Sequence, residues 1–390
     1  MSTFPPRVRR SAPVADVPPD LAGAESWALV VVHPFPSEQL AGTTVLLRSL
    51  LQEIRAVDSG VRTEFLHLDA PNPARSLAEL GAAFNGAMAM VGVNLHLERH
   101  WRRSVDCYEF CSRGDVPAYL WAHDYWPHHK QSVQTVVNGH GAKLLASTAT
   151  VRDGMADDGF TAEVVQVGIS FANIVGDVRP RLPKAPFVVG SAGRLVKRKR
   201  YPDVVRAFER AGLEGPAQLH LRVSPSLVYS EAEDDALLGE LTQGRAHVKR
   251  PTQRIVIHRE PSEQHDYRLY SVYVCASDYE GFSMTPIEAI YCGCPALMSD
   301  IQAHREIASV LYRDDPAAVM FAPGDVDALA GLLRDEAITG RRHADLAARW
   351  GDLRGLIEAR WSLCQTARTL VEVVRAGVEQ RGTAGQKGTA

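Results

Sequence analysis

The sequence predicts an α/β protein built from two doubly wound domains that face a central cleft. Short apolar runs alternate with segments of helical periodicity along the chain. Continuous apolar runs of strand length are typical of strands buried on both faces of a parallel sheet. The chain has 390 residues, which is more than one hydrophobic core usually serves. Alternating strands and helices in a chain of this length favour two Rossmann-like domains.

The predicted strands form two groups, one in each half of the chain. In the first half they are residues 28–32, 63–68, 89–93, 118–122, 143–147 and 164–168. In the second half they are residues 187–193, 218–223, 254–258, 272–277, 295–299 and 318–322. Ligands of such sheets bind at the carboxyl ends of the strands, so we expect the functional residues to follow strands.

A segment rich in proline and charge, "GDVRPRLPKAP" at residues 176–186, predicts the join between the domains. The basic residues near the N-terminus precede no apolar segment, so no signal peptide is predicted. The expected parts are a flexible tail at 1–26, an N-terminal domain at 27–178, a C-terminal domain at 187–355, a helix at 356–380 that crosses back to the first domain, and a flexible tail at 381–390.

Composition and charge exclude several classes of protein. The net charge of −3 provides no global basic field of the kind that marks nucleic-acid-binding proteins. No apolar run reaches the roughly 18 residues that a membrane span needs. The cysteines lack the paired spacing of a zinc site, so reduced thiols and a cytoplasmic location are predicted. Asp325 and Asp327 form a D-x-D pair that is predicted to begin a helix rather than to bind a metal.

The stretch "EGFSMTPIEA" at residues 280–289 indicates a polar loop that runs into a helix. Thr285 is predicted as the N-cap, with the following proline as the first helical residue. The backbone amides of residues 282–285 then lie at a helix N-terminus, which favours phosphate. Glu288 either closes a capping box or hydrogen-bonds a pair of ligand hydroxyls. Glu280 has no evident structural role on this loop and can accept hydrogen bonds from a polyol.

A second polar cluster, "GSAGRLVKRKRYPD" at residues 190–203, follows another predicted strand. Arg194 and Lys199 lie beside a glycine turn, where Arg can make a forked contact with a diphosphate and Lys can supply a point charge. The alternative is a solvated basic loop or a run of the kind found in nuclear-import signals. Nucleic-acid binding through this run would instead give a DNA affinity that falls steeply with salt.

Together the two clusters resemble the retaining glycosyltransferases of family four, which adopt the GT-B fold. That family typically has G-R-L-x-x-x-K, then S-x-x-E-G-F-x-x-x-x-x-E-A, and later G-x-P. The matching residues here are Gly193, Arg194, Leu195, Lys199, Ser277, Glu280, Gly281, Phe282, Glu288, Ala289, Gly293 and Pro295. The resemblance covers the second domain well and the first domain only through its strand order.

The resemblance implies that the protein transfers a sugar from a nucleotide diphosphate sugar to an unidentified acceptor, with retention at the anomeric carbon and without a metal. The first domain would serve the acceptor and the second the donor. Arg194 and Lys199 would hold the diphosphate and Glu288 the ribose. Glu280 would contact the donor sugar and is the catalytic candidate of the second domain. The amides expected to bind phosphate or sugar hydroxyls belong to Phe282, Ser283, Met284 and Thr285. A nucleotide-sugar-binding protein, or a related hydrolase or epimerase, is the alternative.

The first domain matches the family less closely. Only Gly42 remains of the glycine-rich turn that the family has after its first strand, and Gly42 is therefore a candidate for donor binding. Ser170 stands where the family often has an aspartate. His96 resembles the family's active-site histidine, and His123 ends the next predicted strand. Both are therefore catalytic candidates, and a hydrogen-bonded histidine at a strand end is the alternative for each.

Overall fold

The computed structural model describes residues 27–34, 42–69, 72–84, 87–95, 101–171, 174, 186–224, 236–241, 253–258 and 266–387. His96 lies outside the described residues, as do the predicted tail at 1–26 and residues 176–185 of the predicted join.

The first sheet has six parallel strands in the order β2-β1-β3-β4-β5-β6. They are β1 (Trp27–His33), β2 (Val61–His67), β3 (Met88–Val93), β4 (Ala118–Ala122), β5 (Lys143–Ala146) and β6 (Glu163–Val164). Five of the six strands predicted in the first half are confirmed; the sixth, predicted at 164–168, is a two-residue strand at Glu163–Val164. Every residue of β1, β3 and β4 is buried, which explains why their sequences are continuous apolar runs.

The second sheet also has six parallel strands, in the order β12-β11-β10-β7-β8-β9. They are β7 (Phe187–Arg194), β8 (Ala217–Ser224), β9 (Gln253–His258), β10 (Val272–Cys275), β11 (Ala296–Ser299) and β12 (Met320–Phe321). The predicted strands of the second half are confirmed as well. The strand order reverses between β7 and β10, and ligands of doubly wound sheets bind outside the strand ends at such a point.

Helices connect these strands and cover both faces of each sheet. They are α1 (Gly42–Val57), α2 (Pro73–Ala83), α3 (Trp101–Arg113), α4 (Lys130–His140), α5 (Ala149–Asp157), α6 (Tyr201–Ala211), α7 (Met284–Tyr291), α8 (Gln302–Leu311), α9 (Val326–Thr339), α10 (Arg341–Trp361) and α11 (Leu363–Lys387). Their apolar faces close four hydrophobic clusters, two on each sheet. No helix in the described part of the chain has both the length and the apolar character that crossing a membrane requires.

The last helix, α11, crosses back to the first domain, as the sequence predicts. Leu370 and Val374 of α11 share one hydrophobic cluster with Leu47 and Leu50 of α1. The hydroxyl of Tyr119 also donates a hydrogen bond of 3.3 Å to a backbone carbonyl of α11. The C-terminal segment therefore belongs to the core of the first domain, although the chain reaches it after completing the second.

The C-terminal helices differ from the prediction of one helix at 356–380. The helix is interrupted at Ser362, where α10 ends and α11 begins on either side. The backbone of Ser362 pairs with that of Ile169, so the interruption occurs where the chain passes against the first domain. The predicted tail at 381–390 is helical as far as Lys387.

Candidate active site

The candidate site lies where the strand order of the second sheet reverses. The neighbouring strands β7 and β10 end at Arg194 and Cys275. The segments 195–200 and 276–283 leave these strands at the same edge of the sheet, because the strands are parallel. The basic cluster and the Glu280 stretch are therefore brought together, although they are far apart in the sequence.

Glu280 is the buried anion at the centre of the site. Its Oε1 lies 2.6 Å from Nζ of Lys199 and accepts a hydrogen bond of 2.6 Å from the hydroxyl of Ser277. Its Oε2 lies 2.9 Å from Nη1 of Arg198. Both carboxylate oxygens thus have protein partners, and the carboxylate ties the two segments to each other.

These contacts keep Glu280 ionised. Burial by itself would raise the pKa of Glu280, but the charges of Lys199 and Arg198 and the hydrogen bond from Ser277 lower it to about 2. A carboxylate with so low a pKa is a poor proton acceptor at neutral pH. The arrangement suits Glu280 to an electrostatic function rather than to proton transfer.

Arg194, the last residue of β7, lies half-buried beside this cluster. Within the described residues its guanidinium makes no hydrogen bond and no close ion pair. Burial and the charge of Arg198 lower the pKa of Arg194, and the carboxylates of Asp124 and Glu280 oppose that effect. A partly desolvated cation of this kind is suited to bind an anionic ligand.

Two backbone conformations shape the segment that carries these cations. Gly193 has a φ of 138°, and a Cβ atom there would lie 3.3 Å from the side chain of Lys199. Arg200 has a φ of 52° and forms the turn into α6. Its guanidinium pairs with Asp203 at 2.5 Å. The chain thus turns tightly enough to point Lys199 at Glu280.

The helix after Glu280 begins earlier than predicted. Ser283, not Thr285, is the N-cap, and Met284 is the first helical residue. Pro286 is therefore the third helical residue, where it has no N–H to donate. The helix ends before Gly293, which has a φ of 77°, so the predicted end is confirmed. Met284 and Thr285 are the first two of the eight residues of α7, so their amides lie at its N-terminus without a partner in the helix.

Glu288 is held by a tyrosine and does not close a capping box, because Thr285 is not the cap. The hydroxyl of Tyr267 donates a hydrogen bond of 2.5 Å to Oε2 of Glu288. Burial raises the pKa of Glu288, and the hydrogen bond from Tyr267 opposes that effect. Its other carboxylate oxygen has no protein partner among the described residues, which leaves it able to accept from a ligand.

The first domain contacts the site through the residues that follow β4. The amide of His123 donates a hydrogen bond of 2.9 Å to the side chain of Asn94, and its ring packs edge-on against Trp121 with centroids 4.6 Å apart. The carbonyl group of His123 packs against Gly281, where a Cβ atom would overlap the carbonyl oxygen. The hydroxyl of Thr148 donates a hydrogen bond of 2.7 Å to the Gly281 carbonyl. A side chain at position 281 would force the His123 carbonyl to move.

Tyr279 makes the second contact between the domains. Its hydroxyl donates to the carbonyl of Tyr125 at 2.9 Å and accepts from the amide of Tyr125 at 3.2 Å. Its ring lies 4.1 Å from that of Trp126, centroid to centroid. Arg198 donates a hydrogen bond of 2.7 Å to the Tyr279 carbonyl. The loop that carries Glu280 therefore also contacts the first domain.

The remaining predicted residues lie apart from this cluster or outside the described residues. Gly42 begins α1 after β1, and the segment just before it is not among the described residues. The predicted roles of Gly42 and His96 stay predictions. Asp325 is the N-cap of α9 and accepts a hydrogen bond of 2.9 Å from the amide of Ala328, which confirms the predicted helix start.

Cysteines and acidic residues form no evident metal site in the described part of the chain. No group of three or more histidine, cysteine, aspartate or glutamate side chains is arranged there to hold a metal ion. All six cysteines are free thiols, and Cys364 is the one that is not buried.

Several residues of the site were missed by reasoning from the sequence. Arg198 was visible only as part of a basic run, and nothing in its spacing shows that it turns toward Glu280. Asp124 of the first domain lies close enough to influence Arg194 and Arg198 electrostatically. In the sequence, the position of Asp124 next to His123 is what indicates that it lies near the site. Nothing in the sequence indicates a role for Tyr279, because its partners belong to the other domain.

Comparison with known proteins extends these observations. Residues 252–350 match the family model described as glycosyl transferases group 1. No curated protein matches the chain by sequence. Among solved structures, sucrose-phosphate synthase from Thermosynechococcus elongatus has a TM-score of 0.68 at 13% identity, over 90% of this chain and 98% of that one. Anabaena HepE in complex with UDP and glucose has a TM-score of 0.65 at 12% identity, over 90% and 100%. A glycosyltransferase from Rickettsia africae has a TM-score of 0.64 at 13% identity, over 90% and 99%.

The protein therefore has the GT-B fold, with two Rossmann-like domains. The predicted fold is confirmed. The family match covers the segment that contains Glu280 and α7.

Proposed function

We propose that the protein is a retaining glycosyltransferase that moves a sugar from a nucleotide diphosphate sugar to an acceptor. The observation that carries this proposal is the half-buried guanidinium of Arg194, which lacks a direct protein partner among the described residues. It lies at the strand-order reversal, beside Lys199 and the segment that leads into α7. A diphosphate is the ligand that matches a guanidinium, an ammonium and helix amides together.

The proposed chemistry follows from charge. Breaking the bond between the sugar and the diphosphate builds negative charge on the leaving group and gives the sugar oxocarbenium character. Arg194, Lys199 and the α7 amides would stabilise the leaving diphosphate. With retention, we favour a front-side displacement in which the leaving phosphate helps to take the acceptor's proton. Residues of the first domain that follow β4, including His123, would border the acceptor.

Glu280 has a different part in this proposal from that implied by the resemblance. Its oxygens bind Lys199, Arg198 and Ser277, so in this conformation it orients the cations. The contact with the donor sugar that the resemblance implies would use the remaining lone pairs of the Glu280 carboxylate. Glu288 would accept hydrogen bonds from the ribose hydroxyls through the oxygen that Tyr267 leaves free.

The donor base is proposed to be uracil as the first candidate, because the Anabaena structures are complexes with UDP and with UDP-glucose. The reaction is proposed to need no metal, since side-chain cations and a helix terminus can neutralise the diphosphate. A cytoplasmic location is proposed from the free thiols. Addition of EDTA to a working transfer assay tests the metal requirement directly.

Isothermal titration tests the donor site. Wild type is titrated with UDP, GDP and ADP, and with their sugars, beside the variant with both Arg194→Ala and Lys199→Ala. We expect micromolar binding of one diphosphate and its loss in the double variant. Lys197→Ala is the matched control, because Lys197 is an exposed cation of the same run and its loss should leave binding unchanged.

Two results would contradict the proposal. If wild type binds none of the nucleotides, the donor site is assigned wrongly. If the double variant binds as tightly as wild type, the nucleotide occupies another site. A binding protein without transferase activity would bind the nucleotide sugar but leave it intact with every acceptor. A hydrolase or epimerase would release or alter the sugar without an acceptor, and the anomeric configuration of a transferred product tests retention.

A further inference from the structure

His304 is a buried histidine behind the N-terminus of α7. It lies in the first turn of α8 and is fully buried. Its Nδ1 is 2.8 Å from the backbone carbonyl of Ser299 and 3.1 Å from the Ser299 hydroxyl. A carbonyl oxygen can only accept, so Nδ1 carries a proton. The ring is thereby oriented with Nε2 toward Ser283, 3.1 Å from its hydroxyl oxygen.

Ser283 is the N-cap residue of α7, yet its side chain makes no capping hydrogen bond. Its hydroxyl contacts His304 at 3.1 Å and the thiol of Cys275 at 3.5 Å. The N-cap hydroxyl normally accepts from the second or third amide of the helix. Here the third residue is Pro286, so Thr285 has the one amide that the hydroxyl could cap.

The consequence is an open helix N-terminus. The amides of Met284 and Thr285 have no acceptor among the described residues. Such amides carry partial positive charge and bind anions when no side chain occupies them. In most helices a serine at this position would compete with a ligand for the Thr285 amide. In this protein the Ser283 hydroxyl contacts the imidazole of His304 instead of the Thr285 amide.

We propose that His304 is a positioning residue for donor binding, which keeps the Ser283 hydroxyl off the helix so that the Met284 and Thr285 amides receive the donor's phosphate. This inference rests on the proposed function, because it assigns the phosphate to these amides. His304 does not touch the ligand, and its effect passes through Ser283. Its partner atoms belong to strand ends and helix starts of the second domain, so the arrangement needs no contribution from the first.

Double-substitution titration tests the proposal, with UDP as the probe and with GDP and ADP in parallel. His304→Ala frees the Ser283 hydroxyl to cap the Thr285 amide. We expect the Kd to rise about fivefold, which corresponds to the free energy of one N-cap hydrogen bond. Ser283→Ala alone keeps the backbone amide and removes the competing hydroxyl, so its Kd is the reference for the double variant. The double variant should return the Kd to within about twofold of the Ser283→Ala value, because no competing hydroxyl remains.

The matched control is His343→Ala, since His343 is also buried in the second domain and contacts the carbonyl of Ser271 at 3.2 Å. It should lower thermal stability without changing the Kd. If His304→Ala does not fold, His304→Leu, whose side chain cannot hydrogen-bond the Ser283 hydroxyl, is used with and without Ser283→Ala, and the same reversal is expected. An unchanged Kd in the His304 variants, or a double variant that binds as weakly as the single one, overturns the inference. Failure of wild type to bind any of the three diphosphates instead overturns the proposed function.

Discussion

Gly281 packs against the carbonyl group of His123 so closely that the smallest side chain at position 281 would overlap the carbonyl oxygen. The same glycine accepts a hydrogen bond from Thr148, and its neighbour Glu280 binds Lys199 and Arg198. One short loop thus joins the two domains and fixes the cations. Changes in this loop should therefore alter both the contact between the domains and the proposed donor site.

Gly281→Ala should destabilise the protein. The added methyl group must push the His123 carbonyl away, and overpacking of this kind costs about 1–3 kcal/mol. The free energy of unfolding in urea measures the effect. Gly331→Ala is the control, because Gly331 lies in α9 with no heavy atom within 4 Å of its Cβ position; there, alanine should stabilise by up to about 1 kcal/mol. Equal stability of Gly281→Ala and wild type would mean that the contact with His123 is not made in solution.

Glu280→Gln should destabilise the protein at neutral pH and much less in acid. The substitution leaves the Lys199 and Arg198 charges unpaired, and breaking a buried ion pair costs about 3–5 kcal/mol. The pKa of Glu280 is lowered from its usual 4.5 to about 2, so its stabilisation is fully present above pH 4.5 and is lost as the pH falls toward 2.

Urea unfolding of wild type and Glu280→Gln at pH 7 and pH 3 measures this dependence. The difference between the two proteins should shrink in the acidic sample. Glu306→Gln serves as the control, because Glu306 accepts a hydrogen bond from Thr150 away from the cation cluster. A difference that is the same at both pH values would contradict the ionised state of Glu280.

Glu288→Gln should weaken UDP binding while leaving pyrophosphate binding unchanged. The proposed partner of Glu288 is the ribose, which pyrophosphate lacks, and a hydrogen bond to a charged acceptor contributes about 1.5–3 kcal/mol. The Kd for UDP should therefore rise by at least about tenfold. Titration of both ligands into the variant and wild type gives the answer. Equal weakening of both ligands would place the effect on the phosphates and not on the ribose.

Tyr279→Phe should loosen the contact between the domains. It removes both hydrogen bonds with the Tyr125 backbone, worth about 1–3 kcal/mol together. We expect a larger radius of gyration in small-angle X-ray scattering, with and without saturating UDP. Tyr312→Phe is the control, because the Tyr312 hydroxyl accepts from Ala296 within the second domain. Identical scattering from Tyr279→Phe and wild type would show that this contact does not hold the domains together.

The sequence by itself determined the strands, their grouping and the place of the two polar clusters that follow β7 and β10. Buried parallel strands need apolar side chains on both faces, so runs such as that of β1 are visible without any tertiary information. The end of α7 is also set by local sequence, because Gly293 adopts a positive φ that ends a helix whatever its tertiary contacts.

Only the tertiary structure decided how the polar residues pair. The N-cap of α7 is Ser283 and not Thr285, and the Ser283 hydroxyl contacts His304, which lies on another helix. Arg198 and Lys199 share Glu280 because β7 and β10 are neighbours in the sheet. Such contacts depend on which strand ends meet and on which side chains remain near a buried charge. Local periodicity and residue spacing do not show which strand ends meet or which side chains lie near a buried charge. These pairings therefore form only in the folded chain.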